Sequence, residues 1–181
     1  INRIETVDGA VNAMVTRSYE RARDEAKHAE QAVLDGDDLG LLHGLPVGVK
    51  DLELTAGIRT TFGSLTFKDN VPEKDQLSVA NIRDEGGIIL GKTNTPEFGA
   101  GANTKNRVFG ATGNPFDPNL SCAGSSGGSA VALACSMVAL ATGSDFGGSL
   151  RTPAGFCGVV GHRPSPGVVP SEGRPVALTP L

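Results

Sequence analysis

Gly86-Gly87-Ile88-Ile89-Leu90-Gly91-Lys92-Thr93 decides the fold of this chain. Letter by letter it satisfies the phosphate-loop expression G-x-x-x-x-G-K-[ST], in which a glycine-rich loop follows a strand, offers its N–H groups to phosphate and opens a helix. Here the intervening residues are Gly-Ile-Ile-Leu, which favour a buried strand. The helical stretch, Asp75 to Glu85 with Asp75 near its N-cap, precedes the motif and is ended by Gly86. Pro96 follows soon after. Gly87–Gly91 therefore reads as a strand. Leu45-Pro46-Val47-Gly48-Val49 reads as another, ending at Lys50. Strand, helix, strand in that order predicts an α/β fold, a mixed β-sheet with helices on both faces. A nucleotide-binding loop at Gly86–Thr93 is a competing reading.

The wider composition narrows the choice. The chain has 181 residues, 16 of them basic and 20 acidic, for a net charge of −4. That length supports one domain with a real core. The lack of a basic excess argues against nucleic-acid binding. With one Tyr and no Trp, base-stacking platforms are not expected either. The 25 glycines are about twice the ordinary usage of roughly 7%. They have no collagen-like period, so they serve loops and close backbone approaches. Cys122, Cys135 and Cys157 are odd in number and form no C-x-x-C pair. They suggest neither a disulfide framework nor a zinc or redox motif, and a reduced, cytoplasmic setting is expected. No signal peptide opens the chain. Its longest weakly polar run, Ser129 to Thr142, is shorter than the roughly 20 residues that cross a bilayer, so no membrane segment is expected.

The chain changes character twice. Residues 1–40 form a helical lead-in, where Val7, Val11, Met14, Val15, Ala22, Ala26, Ala29 and Val33 recur at three- and four-residue spacing. This predicts one amphipathic helix from about Asp8 to Leu34, stopped by Gly36. Residues 41–110 carry the strand and helix segments with Lys50. Residues 111–170 are Gly/Ser-rich, and between 111 and 161 only Asp117, Asp145 and Arg151 are charged. Val131-Ala132-Leu133-Ala134 and Val138-Ala139-Leu140-Ala141 predict a buried helix over about Gly128–Thr142, flanked by two loops. The proline spacing after Arg163 (Pro164, Pro166, Pro170, Pro175) implies loops or edge strands.

Two patterns in the last stretch could carry chemistry. Gly124-Ser125-Ser126-Gly127-Gly128 matches the G-x-S-x-G nucleophile elbow. An elbow needs a strand feeding it, and Asn114-Pro115-Phe116-Asp117-Pro118-Asn119 is turn chemistry. Of His28, His43 and His162, only His162 comes late enough to serve such a serine, and it lies in a turn. The second pattern is a constellation: Val49-Lys50-Asp51 at a strand end, the loop Gly124–Ser129, and the loop Gly143-Ser144-Asp145-Phe146-Gly147-Gly148-Ser149-Leu150-Arg151. Ser125 and Ser149 lie 24 residues apart, bracketing the uncharged helix.

At these residues the sequence resembles the amidase signature family of hydrolases. The resemblance runs from about Asn12 to Pro170. It is carried by Gly44-Leu45-Pro46-Val47-Gly48-Val49-Lys50-Asp51, Gly91-Lys92-Thr93-Asn94-Thr95-Pro96-Glu97-Phe98, Gly124–Ser129 and Ser144–Ala154, in this order. It implies the family's α/β/α fold, present here as its N-terminal part. It also implies an amidase acting on a small-molecule carboxamide, without cofactor or metal. By the resemblance Ser149 is the nucleophile, Ser125 a relay after a cis Gly124–Ser125 bond, and Lys50 the base. Ala123 stands where the family often has Gly, and His162-Arg163 where it often has Leu-Lys.

The chemistry fits the residue types. A serine hydroxyl needs a base, and burial disfavours the charged form of a lysine such as Lys50, which follows an apolar strand. Strand alternation lets Asp51 face away from it. Phe146, Gly147, Gly148 and Ser149 offer consecutive N–H groups to an oxyanion. Ser126, Ser144 and Asp145 are read as supporting residues, and Arg151 as pairing with Asp145. Asn94 and Glu97 are read as loop-structuring. In the family, the segment matching Phe98-Gly99-Ala100 lines the acyl pocket. Ile1 is not a native start, and the resemblance still runs at Pro170, so the chain is expected to be the first part of a longer polypeptide. Its expected partners are that remainder or a second copy. The competing class is an inactive amidase-like fragment acting as a binding module.

Overall fold

The computed structural model describes residues 1–169. A four-stranded sheet in the order β1-β3-β2-β6 lies at its centre, built from Met14–Arg17, Ile88–Thr93, Pro46–Lys50 and Leu140–Ala141. β2 runs parallel to both β3 and β6, and β1 runs antiparallel to β3, so the sheet is mixed. The helices are α1 (Asn2–Val11), α2 (Tyr19–Asp35), α3 (Leu77–Asp84), α4 (Gly127–Ala134) and α5 (Arg151–Cys157). A small hairpin pairs β4 (Lys105–Asn106) with β5 (Gly110–Ala111). Among the described residues no helix is long and apolar enough to cross a membrane.

Successive side chains of a strand point to opposite faces, and β3 divides its apolar residues accordingly. Ile88 and Leu90 join Ile4, Val11, Ala130, Val131 and Cys157 beneath α1, α4 and α5. Ile89 joins Val47, Val49, Ile58 and Val79 beneath α3. Helices thus cover both faces, as expected. Gly91 lies where β1 presses on β3: at φ 155° an added Cβ would sit 2.0 Å from the Thr16 carbonyl oxygen.

The single long N-terminal helix does not form. α1 stops at Val11, Asn12 turns left-handed at φ 55°, and β1 intervenes before α2. Asp8 explains the break. Its Oδ1 accepts the N–H groups of Ala13 (2.7 Å) and Met14 (3.0 Å), and its Oδ2 accepts from Arg17 at 2.9 Å. An inward carboxylate satisfies the donors of the turn, and Met14–Arg17 gains a sheet partner. α3 begins at Leu77 instead of near Asp75, whose carboxylate is engaged by the Ala56 N–H and Arg83.

The helix expected to reach Thr142 ends at Ala134. Ser136 is left-handed at φ 56°, and Leu140–Ala141 pairs with Val47 and Gly48 as β6. The competing phosphate loop is excluded by conformation, because Ile88–Thr93 is a wholly buried strand. From Pro170 on, the proline-spaced segment lies outside the described residues.

Candidate active site

Three segments meet beyond the ends of β2 and β6. β2 delivers Lys50 at its last position. The turn before α4 delivers Ser125 and Ser126, and the Gly124–Ser125 peptide bond is cis. The loop between β6 and α5 delivers Ser144, Asp145 and Ser149. Close packing locks these pieces together. An added Cβ at Gly128 would lie 2.3 Å from the Asn94 nitrogen, so the first turn of α4 rests on the backbone after β3. Ser129 Oγ meets Thr93 Oγ1 at 2.6 Å and donates to the Thr142 carbonyl at 2.7 Å.

Lys50 is fully buried. Its Nζ donates to Ser125 Oγ at 2.7 Å, Ser126 Oγ at 2.8 Å and Ser144 Oγ at 2.8 Å. Burial pulls the amine down to about 7, against the opposing charges of Glu53 and Asp145. Asp51 does face away: its carboxylate accepts from the Thr61 hydroxyl at 2.6 Å and the Thr61 N–H at 3.0 Å. The hydroxyls differ in freedom. Ser126 donates to the Ser144 carbonyl at 3.2 Å, so its proton is committed. Among the described residues Lys50 alone bonds the Ser125 oxygen, so the Ser125 proton can turn toward the amine or away from it.

The second loop is organised by Asp145, which is buried. Arg151 grips it with two bonds, Nε–Oδ2 at 2.8 Å and Nη2–Oδ1 at 3.0 Å, the pairing the sequence suggested. The N–H groups of Gly148, Leu150 and Arg151 also point at it. The Arg151 bond, then these N–H groups, hold its carboxyl well below the usual range. The Gly148 N–H is therefore spent on Asp145 at 2.8 Å and is not free for the oxyanion role expected of it. Ser149 is half-buried, and its carbonyl accepts the Ser126 N–H at 2.9 Å. Among the described residues its hydroxyl makes no hydrogen bond, so the expected Ser125–Ser149 contact is not closed here. Gly99 passes beside Ser125: a Cβ there would sit 3.6 Å from Ser125 Oγ. Ala100 and Phe98 beside it are exposed. Asn94 is buried, bonding Thr112 Oγ1 at 2.9 Å and Asn106 Nδ2 at 2.7 Å, and Glu97 is exposed.

The Amidase family profile matches residues 1–179. The chain belongs to the amidase family. It is 45% identical over 169 residues to a glutamyl-tRNA(Gln) amidotransferase subunit of Alkaliphilus metalliredigens, covering 93% of this chain and 34% of that protein. Against the same subunit of Moorella thermoacetica it is 44% identical over 173 residues, covering 96% and 36%. Among solved structures, a bacterial aryl acylamidase of the amidase signature family superposes with a TM-score of 0.91 at 36% identity, covering 96% of this chain and 36% of that one. The 6-aminohexanoate cyclic dimer hydrolase bound to its substrate gives 0.83 at 34%, covering 92% and 33%. The chain thus spans about a third of the length of these amidase relatives.

Two residues of this amidase segment escaped the sequence reading. Lys92 stood only in the competing phosphate-loop expression and in the Gly91–Phe98 motif, with no role assigned to it. It is instead a second buried lysine, donating to the Glu53 carbonyl and to Thr55 Oγ1 at 2.6 Å. The β2–β3 register shifts between Val47 and Gly48, which turns Lys92 toward the loop after β2 while Thr93 meets α4. Glu53, in Leu52-Glu53-Leu54, has no motif to announce it. A carboxylate between two leucines just past a buried strand was the available signal.

Proposed function

We propose that this chain carries the catalytic centre of an amidase that cleaves the C–N bond of a carboxamide through an acyl-enzyme on Ser149. One observation carries the reading: a wholly buried lysine, brought to about 7, whose amine meets three hydroxyls and, among the described residues, no carboxylate. A lysine held for charge pairing would meet an acid. A lysine held as a base needs its neutral form and a path for a proton.

Neutral Lys50 takes the Ser125 proton as Ser125 takes that of Ser149, once the Ser149 hydroxyl rotates toward Ser125. The Ser149 oxygen bonds the carbonyl carbon, and the electron pair moves onto the carbonyl oxygen. The N–H groups of Phe146, Gly147 and Ser149 face that charge. The pair returns, the C–N bond breaks, and the proton passes from Lys50 through Ser125 to the departing amine. Water then adds by the reverse route and releases the acid. Arg151, exposed and fully engaged with Asp145, holds the loop's shape.

The test is labelling of the intact protein by a fluorophosphonate, with the adduct mapped by peptide mass. The expected adduct is on Ser149, absent in Ser149→Ala and slowed in Lys50→Met. Labelling of another serine, or full labelling without Ser149, overturns the assignment.

A further inference from the structure

Glu53 closes the turn that follows Lys50, and its carboxyl is met by hydroxyl donors. Its own N–H donates to the Lys50 carbonyl at 3.0 Å. On the other side of the peptide unit, the Lys50 N–H donates to Thr142 Oγ1 at 2.9 Å. With its oxygen so used, the Thr142 proton goes to the Glu53 carboxyl, with which Thr142 is hydrogen-bonded. Ser78 behaves alike: its Oγ accepts from Gln76 Nε2 at 3.3 Å and donates to Glu53 Oε2 at 3.2 Å. Two hydroxyls, each accepting one bond and left with a proton to give, fit a group that accepts. Lys92 brings the opposite charge, its Nζ bonded to the Glu53 carbonyl oxygen and Thr55 Oγ1.

We propose that the Glu53 carboxylate is a positioning residue for the Lys50 amine, fixing the end of β2 through Thr142 and placing a negative charge beside it, with Lys92 as counter-charge. The inference rests on Lys50 being the base. The charged groups around Lys50 are few. The strand end and following turn bring Asp51 and Glu53, and β3 brings Lys92. Asp75 and Arg83, from the segment entering α3 and from the helix itself, act on Lys92. The loop after β6 brings Asp145, neutralised by Arg151. α4, on the remaining side, has no charged residue. Of these, Glu53 is the foremost group resisting the effect of burial on Lys50, ahead of Asp145. Burial raises the Glu53 carboxyl, while Thr142, Lys92 and Ser78 resist that rise.

Glu53→Gln keeps the shape and an acceptor oxygen but removes the charge. The Lys50 titration, followed by the ¹³Cε resonance in the intact protein and assigned with Lys50→Arg, should then fall by about one pH unit, the lower end of the effect of a neighbouring opposite charge. The acid limb of kcat/KM should move with it, and Glu53→Asp, which keeps the charge, should restore both toward wild type. Loss of activity at every pH with an unmoved titration would mark Glu53 as merely structural and overturn the proposal. A moved titration with an unmoved rate profile supports Glu53's control of the amine and refutes Lys50 as the base. If Glu53→Gln does not fold, Ser78→Ala removes one donor from the carboxylate. It should shift Lys50 in the same direction by less, and no shift there overturns the proposal as well.

Discussion

If Lys50 is the base, as proposed, its sharpest consequence is a pH dependence. An ordinary lysine amine, at 10.5, is neutral at pH 7 in about one molecule in three thousand. At about 7 it is neutral in half of them. Burial among the three serine hydroxyls therefore enlarges the competent population about a thousandfold at neutral pH. The rate of fluorophosphonate labelling at Ser149 should rise as pH passes through about 7 and then level off, because the neutral amine is the active form. Lys50→Met should slow labelling by about 10²- to 10⁴-fold, the usual worth of a general base, and flatten the limb. A second readout needs no activity. Between about 7 and 10.5 the unfolded chain holds a proton on Lys50 that the folded chain has lost, so this residue's contribution to stability rises with pH across that window. Tm measured against pH should lose that component in Lys50→Met. A labelling limb near 10, or wild-type labelling in Lys50→Met, would refute the reasoning.

Three further outcomes are expected. Ser125→Ala should slow labelling by about 10²-fold or more, and Ser126→Ala by less, because the Ser126 proton is committed to the Ser144 carbonyl; equal effects would remove the distinction. Asp145 is held below the usual carboxylate range, so its contribution to stability is present above its unfolded value of about 3.9 and lost as pH falls further. The Tm gap between wild type and Asp145→Asn should therefore close on acidification below about pH 4, and a constant gap would show that the charge is not what matters. Gly128→Ala would place Cβ 2.3 Å from the Asn94 nitrogen and should cost about 1–3 kcal/mol in urea unfolding. Gly155→Ala, with nothing within 4 Å and in a helix, should instead gain about 0.5–1 kcal/mol.

The sequence yielded most where a residue's environment is local. Val47 and Val49, after Pro46, and Ile88 to Leu90, between Gly87 and Gly91, are β-branched or apolar, so strand is what they favour in isolation and what they form. It failed where a distant contact outweighs a local preference. Val11, Met14 and Val15 keep a helical spacing, but the Asp8 carboxylate and the free edge of β3 pull Met14–Arg17 into the sheet. Val138–Ala141 is as alanine-rich as α4, yet the edge of β2 takes Leu140 and Ala141 as a strand. The site divides the same way. Lys50, Ser125, Ser126, Ser144 and Asp145 stand in motifs, and the structure gathers them. Glu53 and Lys92 could not be read, because strict alternation puts Lys92 on the face of α4. The register shift beside Gly48 reverses that face, and a bulge depends on the partner strand more than on its own letters. The residues most exposed to this failure are the two proposed to act on Lys50 as charge and counter-charge. A motif search therefore finds the residues of the proposed reaction and misses the charges that a distant strand and turn bring beside them.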